Sequence, residues 1–251
     1  MLPDIELFDE NPVAGDAEAS GDAGTVFTAA ANAVNTARSV TFSALVVPAT
    51  AYYQGIQQEP VVLDGVYRWD YSVAGSGYEY LVGLSAQRMG NQSLWEMRVT
   101  SAAQAPPLDN FLWITGTAST AGEGEWHLFD ATNPGTQTEI LSVDWTYEFQ
   151  ANRRLILINV NPASPDVGDR VDFVADGFIR TLQYYDASTQ AYALAQWSWL
   201  THEGVFVATN FNGGEPACWN ATLADVGCTM PLRMSGAYMR AMRFGANGRL
   251  F

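Results

Sequence analysis

Gly124-Glu-Trp-His-Leu-Phe-Asp130, a polar turn, and then Ile140-Leu-Ser-Val-Asp-Trp-Thr-Tyr-Glu-Phe149 form a pair of alternating segments. A period of two sends successive side chains to opposite faces of a strand, so the pair reads as an antiparallel hairpin. The pattern recurs twice. Gly65-Val-Tyr-Arg-Trp-Asp-Tyr71 returns as Tyr78-Glu-Tyr-Leu-Val-Gly-Leu84, and the segment from Gly177 to Asp186 returns as Tyr192-Ala-Leu-Ala-Gln-Trp-Ser-Trp199. Hairpin following hairpin specifies a large antiparallel sheet.

Outward from these pairs, strands are expected over 39–47, 61–72, 78–88, 93–101, 110–117, 124–130, 139–150, 154–160, 170–175, 177–185, 191–201 and 204–210. Gly75-Ser-Gly77, Pro106-Pro107, Asn133-Pro-Gly135 and Asn161-Pro162 punctuate them. Connections this short cannot house crossover helices, so neighbours must be antiparallel. The fold class is therefore all-β, a curled antiparallel β-meander, half-barrel or open barrel of roughly ten to twelve strands. Leu155-Ile-Leu-Ile158, apolar at every position, reads as a strand covered on both faces.

Thr25–Arg38 is the one helix candidate, rich in Ala, free of Gly and Pro, with Val26, Phe27, Ala30, Ala33, Val34 and Ala37 on one face. Residues 1–24 read as a flexible acidic leader, 25–210 as the helix and meander domain, and 211–251 as a cysteine loop and a C-terminal tail packed on that domain. The Met and Tyr spacing in the tail suits such docking.

The chain of 251 residues carries 27 acidic against 12 basic residues, a formal net charge of −15, and every basic residue is arginine. An acidic surface repels phosphates, so nucleic-acid binding is not expected. The absence of lysine points to a bacterial or archaeal source. Cys218 and Cys228 lie close together with no histidine beside them, which suits a disulfide better than free thiols or a zinc site. A disulfide implies an oxidising compartment, so a periplasmic or extracellular location is expected. No run approaches the roughly 20 apolar residues of a membrane helix. No basic and apolar signal segment opens the chain as it stands, so export and any membrane tether would depend on a signal that has been removed.

Motifs for chemistry are sparse. His127 and His202 sit in strand patterns and read as structural. No nucleophile elbow or phosphate loop is present. Glu123 with Glu125, and Asp144 with Glu148, read as solvated strand positions; Asp166, Asp169 and Asp172 lack the EF-hand spacing for calcium. No cofactor, metal or catalytic group is expected. The remaining candidate is the aromatic face itself. In Trp145-Thr-Tyr-Glu-Phe149 and Ala193 to Trp199 the large residues share one side. Trp69, Tyr71, Trp95, Trp113, Trp145, Tyr147, Trp197 and Trp199 are the expected lining of a core or of an apolar cavity.

A helix passing straight into a first strand at Ala33-Val-Asn-Thr-Ala-Arg-Ser-Val-Thr-Phe42, ahead of an aromatic meander, resembles the LolA/LppX-like periplasmic carriers. That resemblance covers the order of elements over 25–210. It implies a curved, incompletely closed sheet around a helix, with lipid or acyl chains held between them. The leading expectation is thus a non-enzymatic envelope protein that binds an apolar ligand. The alternatives are a structural or protein-interaction module of an envelope assembly, and a glycan-binding or glycan-processing β protein.

Overall fold

The computed structural model describes residues 24–148 and 152–228, with the backbone alone for residues 38–43 and Glu148. The acidic leader up to residue 23 and the tail from residue 229 lie outside the described residues, and so does the expected packing of that tail.

Among the described residues one α-helix, α1 (Thr25–Ile56), precedes a single sheet whose strands follow chain order: β1 (Val61–Leu63), β2 (Val66–Gly75), β3 (Tyr78–Met89), β4 (Gln92–Ser101), β5 (Leu108–Ser119), β6 (Glu123–Phe129), β7 (Glu139–Glu148), β8 (Asn152–Asn159), β9 (Arg170–Asp176), β10 (Ile179–Asp186), β11 (Ala191–Ser198), β12 (Gly204–Ala208), β13 (Ala217–Trp219) and β14 (Asp225–Val226). Every neighbouring pair is antiparallel. The sheet is an open meander, with β1 and β14 at its two ends. The three hairpins that define the pattern are β2–β3, β6–β7 and β10–β11.

The expected strand 61–72 divides at Asp64-Gly65, where φ values of 52° and 79° make a tight turn. Among the described residues fourteen strands stand where ten to twelve were expected. The addition comes from the cysteine loop, where Cys218 pairs in register with Val226 and is bonded to Cys228 with a Cα–Cα distance of 5.3 Å.

The largest difference is at 39–47, expected as a strand and helical instead, so α1 runs 32 residues. The stretch Ala33–Phe42 that resembles a helix–strand junction is helical throughout. Val and Thr runs favour strands only weakly, and tertiary burial overrides that preference. Leu45, Ala49 and Tyr52 recur at helical spacing with 0–1 % exposure, and Pro48 between them is also buried. Pro48 removes one ladder hydrogen bond, a cost that apolar burial on both sides of it offsets.

α1 packs on the face lined by Trp69, Val82, Met97, Leu128, Val143, Leu155, Phe173 and Trp197, touching β2 and β3 near one end of the sheet and β8 and β10–β14 towards the other. We call this face concave and its reverse convex. At the helix N-terminus the amides of Thr25 and Val26 donate to the Asp225 carboxylate at 3.0 and 2.9 Å. A carboxylate from the last strand thus does the work of an N-cap and suits the positive end of the helix. Replacing Asp225 with Ala is expected to cost about 1 kcal/mol, the usual size of a lost cap. Chemical denaturation measures it, and an unchanged midpoint would show that the contact contributes nothing.

Candidate functional site

The concave face carries seven of the eight tryptophans: Trp69, Trp95, Trp113, Trp126, Trp145, Trp197 and Trp219. Glycines make room for them. Gly116 lies opposite Trp126, Gly124 opposite Trp145, and Gly204 opposite both Trp197 and Trp219. A Cβ on Gly124 would stand 2.2 Å from the Trp145 ring, and one on Gly204 would stand 2.0 Å from the Trp219 ring. Each indole therefore lies across the bare backbone of a neighbouring strand, a pairing known to support sheet glycines.

From α1, Tyr52 enters this array. Its ring lies 4.8 Å from Trp126 and 5.3 Å from Trp95, and Trp126 lies 5.7 Å from Trp145. Trp69 stacks on Trp95 at 5.8 Å. Two polar ties fix the helix beside the array: the Tyr71 hydroxyl donates to the Ala51 carbonyl at 2.7 Å, and Trp69 Nε1 donates to Gln58 at 3.0 Å. Burial pushes the Tyr52 and Tyr71 hydroxyls far above the usual phenol range, so both are protonated donors at any ordinary pH.

Five buried groups in this core have no hydrogen-bond partner among the described residues: the Tyr52 hydroxyl and Nε1 of Trp95, Trp126, Trp145 and Trp197. Buried polar groups are nearly always paired. Four of these five belong to rings in direct contact, so the apolar array gathers several unanswered groups, mostly N–H donors, between α1 and the sheet. Such a surface suits an apolar molecule bearing carbonyl or ester oxygens, or ordered water bridging the same groups.

Of the eight residues expected to line this face, Trp69, Trp113, Trp145 and Trp197 are buried, and Tyr71, Trp95 and Tyr147 are half-buried against the core. Trp199 departs from them. It follows the end of β11, is 49 % exposed, and packs on Phe178 at 6.3 Å. The alternation of Trp197 and Trp199 stops where the strand does. Sequence reasoning missed Trp126, which is fully buried, along with Trp219 and Tyr52. The Gly-x-Trp of Gly124–Trp126 was the available signal.

The convex face is polar in its middle. His127 Nδ1 and Glu139 Oε1 are 2.7 Å apart, which gives this histidine a structural partner. Asp144 sits in register with Glu125 of β6, so the acidic pairing is across strands and not with its sequence neighbours. Desolvation first, then the Glu125 charge, raises the Asp144 pKa. The native state therefore holds this proton more tightly than the unfolded chain does. The penalty is absent below the unfolded pKa and grows as pH rises through the folded one. Asp144→Asn is expected to raise the unfolding midpoint at neutral pH and to leave it unchanged in acid. An equal shift at both pH values would contradict this.

Asp169 and Asp172, considered for calcium, are occupied by protein donors. Asp169 accepts from the Tyr184 hydroxyl at 2.5 Å and the Ala187 amide at 2.9 Å, and Asp172 pairs with Arg154 and Arg170. Leu155-Ile-Leu-Ile158 is covered on one face only: Leu155 and Leu157 are buried, while Ile156 and Ile158 are half-exposed on the convex side. An open depression of about 570 Å³ lies on the same side around Asp70, Leu81, Gly83, Arg98 and Asn110. Among the described residues no cluster of three or more His, Cys, Asp or Glu could hold a metal ion, and no helix is long and apolar enough to cross a membrane.

Compared with protein-family models, curated proteins and solved structures, the chain matches none.

Proposed function

We propose that the chain is a non-enzymatic binding protein that holds an acyl-chain lipid between α1 and the concave aromatic face. The observation that carries this reading is the contiguous aromatic cluster whose Tyr52 hydroxyl and Trp95, Trp126 and Trp145 N–H groups have no partner. An acyl chain suits the ring faces, and its carbonyl or ester oxygens suit the donors. In the structure α1 fills the cradle, so ligand entry requires the helix to yield, at a cost that ligand contacts must exceed. The carrier-like order of elements and the disulfide agree with this role in an oxidising cell-envelope compartment.

Native mass spectrometry of protein from its own host is expected to show a co-purifying lipid, and delipidated protein is expected to take up a fluorescent fatty acid. Trp126→Phe keeps most of the ring volume and removes one donor. It is expected to weaken uptake about three- to tenfold, the usual worth of one hydrogen bond. A clean apo mass with no uptake would overturn the proposal.

A second reading is favoured by β1, whose Val61, Val62 and Leu63 are 70, 57 and 53 % exposed at the sheet's edge. An exposed apolar edge is a template for strand addition by a partner protein. An interaction module predicts a stable complex in pull-downs from envelope extract that Val62→Lys abolishes. A complex indifferent to that change would remove the edge as its basis.

A further inference from the structure

Three apolar residues are buried on the wrong side of the sheet. Leu194 of β11 and Val205 and Val207 of β12 alternate with Ala195, Phe206 and Ala208, which belong to the concave core. They therefore point to the convex side, yet their exposures are 8, 6 and 1 %. None of the three belongs to the core cluster under α1. The described elements in substantial contact with β11 and β12 are their sheet neighbours, α1 on the concave face, and the short 3-10 turn at Asn212–Gly214. That turn follows Phe211, whose ring packs on concave-facing Phe206.

The disulfide opens onto the same convex patch. Cys218 is in register with Val205 and shares its face, and Cys228 is 5.3 Å from Cys218 between Cα atoms. Cys228, the last described residue, thus lies within about 11 Å of Val205, adding one cross-strand step of roughly 5.5 Å. The 23 residues from 229 to 251 include Met230, Met234, Tyr238, Met239, Met242 and Phe244. They carry four arginines and no acid, whereas the first 228 residues hold all 27 acids and eight arginines, a net of −19.

We propose that residues 229–251 dock in cis on the convex face of β10–β12. Their Met and aromatic side chains cover Leu194, Val205 and Val207, and their arginines meet the net negative charge of the rest of the chain. The disulfide acts as the tether. It fixes the point of departure and raises the local concentration of the tail at the patch, so a modest apolar contact suffices. Met is suited to such a surface because its flexible chain fits irregular apolar relief. This docking is independent of any ligand on the concave face.

Hydrogen exchange of the full-length chain tests it. Tail amides between Met234 and Phe244 are expected to exchange about tenfold or more slowly than in an isolated peptide of the same sequence. High salt is expected to reduce that protection, because the charge attraction is exposed. Val207→Thr, nearly the same volume with a hydroxyl on the patch, is expected to release the tail while β9–β12 amides stay protected. Tail exchange at the peptide rate in the wild-type chain would overturn the proposal. So would protection that disappears on dilution together with a dimer mass, which assigns the tail to a second copy. Protection seen only with added phosphatidylglycerol vesicles would overturn it as well, assigning the tail to a lipid surface.

Discussion

Trp126→Ala is expected to destabilise the fold by about 3–5 kcal/mol, the range for truncating a fully buried large aromatic. Trp126 has no exposed surface and touches both Tyr52 and Trp145. Its removal would leave a cavity where α1 meets the middle of the sheet, bounded by rings that cannot readily collapse. Domains of this kind are stable by only about 5–15 kcal/mol, so much of the total would be lost. Trp126→Phe is expected to cost far less. Nε1 has no partner among the described residues, so no hydrogen bond is broken and an unsatisfied donor is removed. Trp199→Ala, on a ring 49 % exposed beyond β11, is expected to change stability by about 0.5 kcal/mol or less. Urea denaturation of the three variants checks the order. Equal losses for Trp126→Ala and Trp199→Ala would mean that the central array does not hold the fold together.

Gly204→Ala is expected to cost about 3 kcal/mol, the upper part of the usual range for overpacking. Its Cβ would stand 2.0 Å from the Trp219 ring and 2.6 Å from the Gln196 carbonyl oxygen. The backbone oxygen cannot turn aside, and the Trp219 indole is held at 2.6 Å to the His202 carbonyl and edge-on to Phe27 at 5.8 Å. Shifting Trp219 would therefore disturb the seat of the N-terminal part of α1. Gly213→Ala is the control for added bulk, since nothing lies within 4 Å of its Cβ position, though its φ of 66° carries a modest strain of its own. Thermal unfolding of both variants decides the matter. A loss no larger for Gly204→Ala than for Gly213→Ala would contradict the tight glycine–indole packing.

The hairpins were legible because local signals agree in them. Val66–Gly75 and Tyr78–Met89 alternate in period two and are separated by Ser76-Gly77, where φ is 50° and 81°. The segment 39–47 misled because Val40, Thr41, Val46 and Val47 give a strand-like composition, whereas tertiary packing favours the helix: Leu45 is fully buried and Val47 lies against Gly75 of β2. β13 and β14, of three and two residues, are too short to show any period; pairing with β12 and the Cys218–Cys228 bond place them. The aromatic face was legible as a face, since Trp145, Tyr147 and Trp197 alternate with small or polar residues. The donor array within it was not. Tyr52 joins Trp95 and Trp126 only once α1 lies across the sheet, and no spacing in the chain announces that meeting. The Asp144–Glu125 pair is likewise a matter of register between β6 and β7.

The central claim is that the space between α1 and the aromatic face receives an acyl chain. Quenching of intrinsic fluorescence by a brominated fatty acid, in a Trp199→Phe background, tests it most directly, because bromine quenches an indole only near contact. The seven remaining tryptophans all belong to the concave core. Saturable quenching, reduced by Trp126→Phe and reversed by the unbrominated acid, is the predicted result. Fluorescence that stays unchanged at saturating fatty acid would contradict the account and leave the aromatic face as core alone.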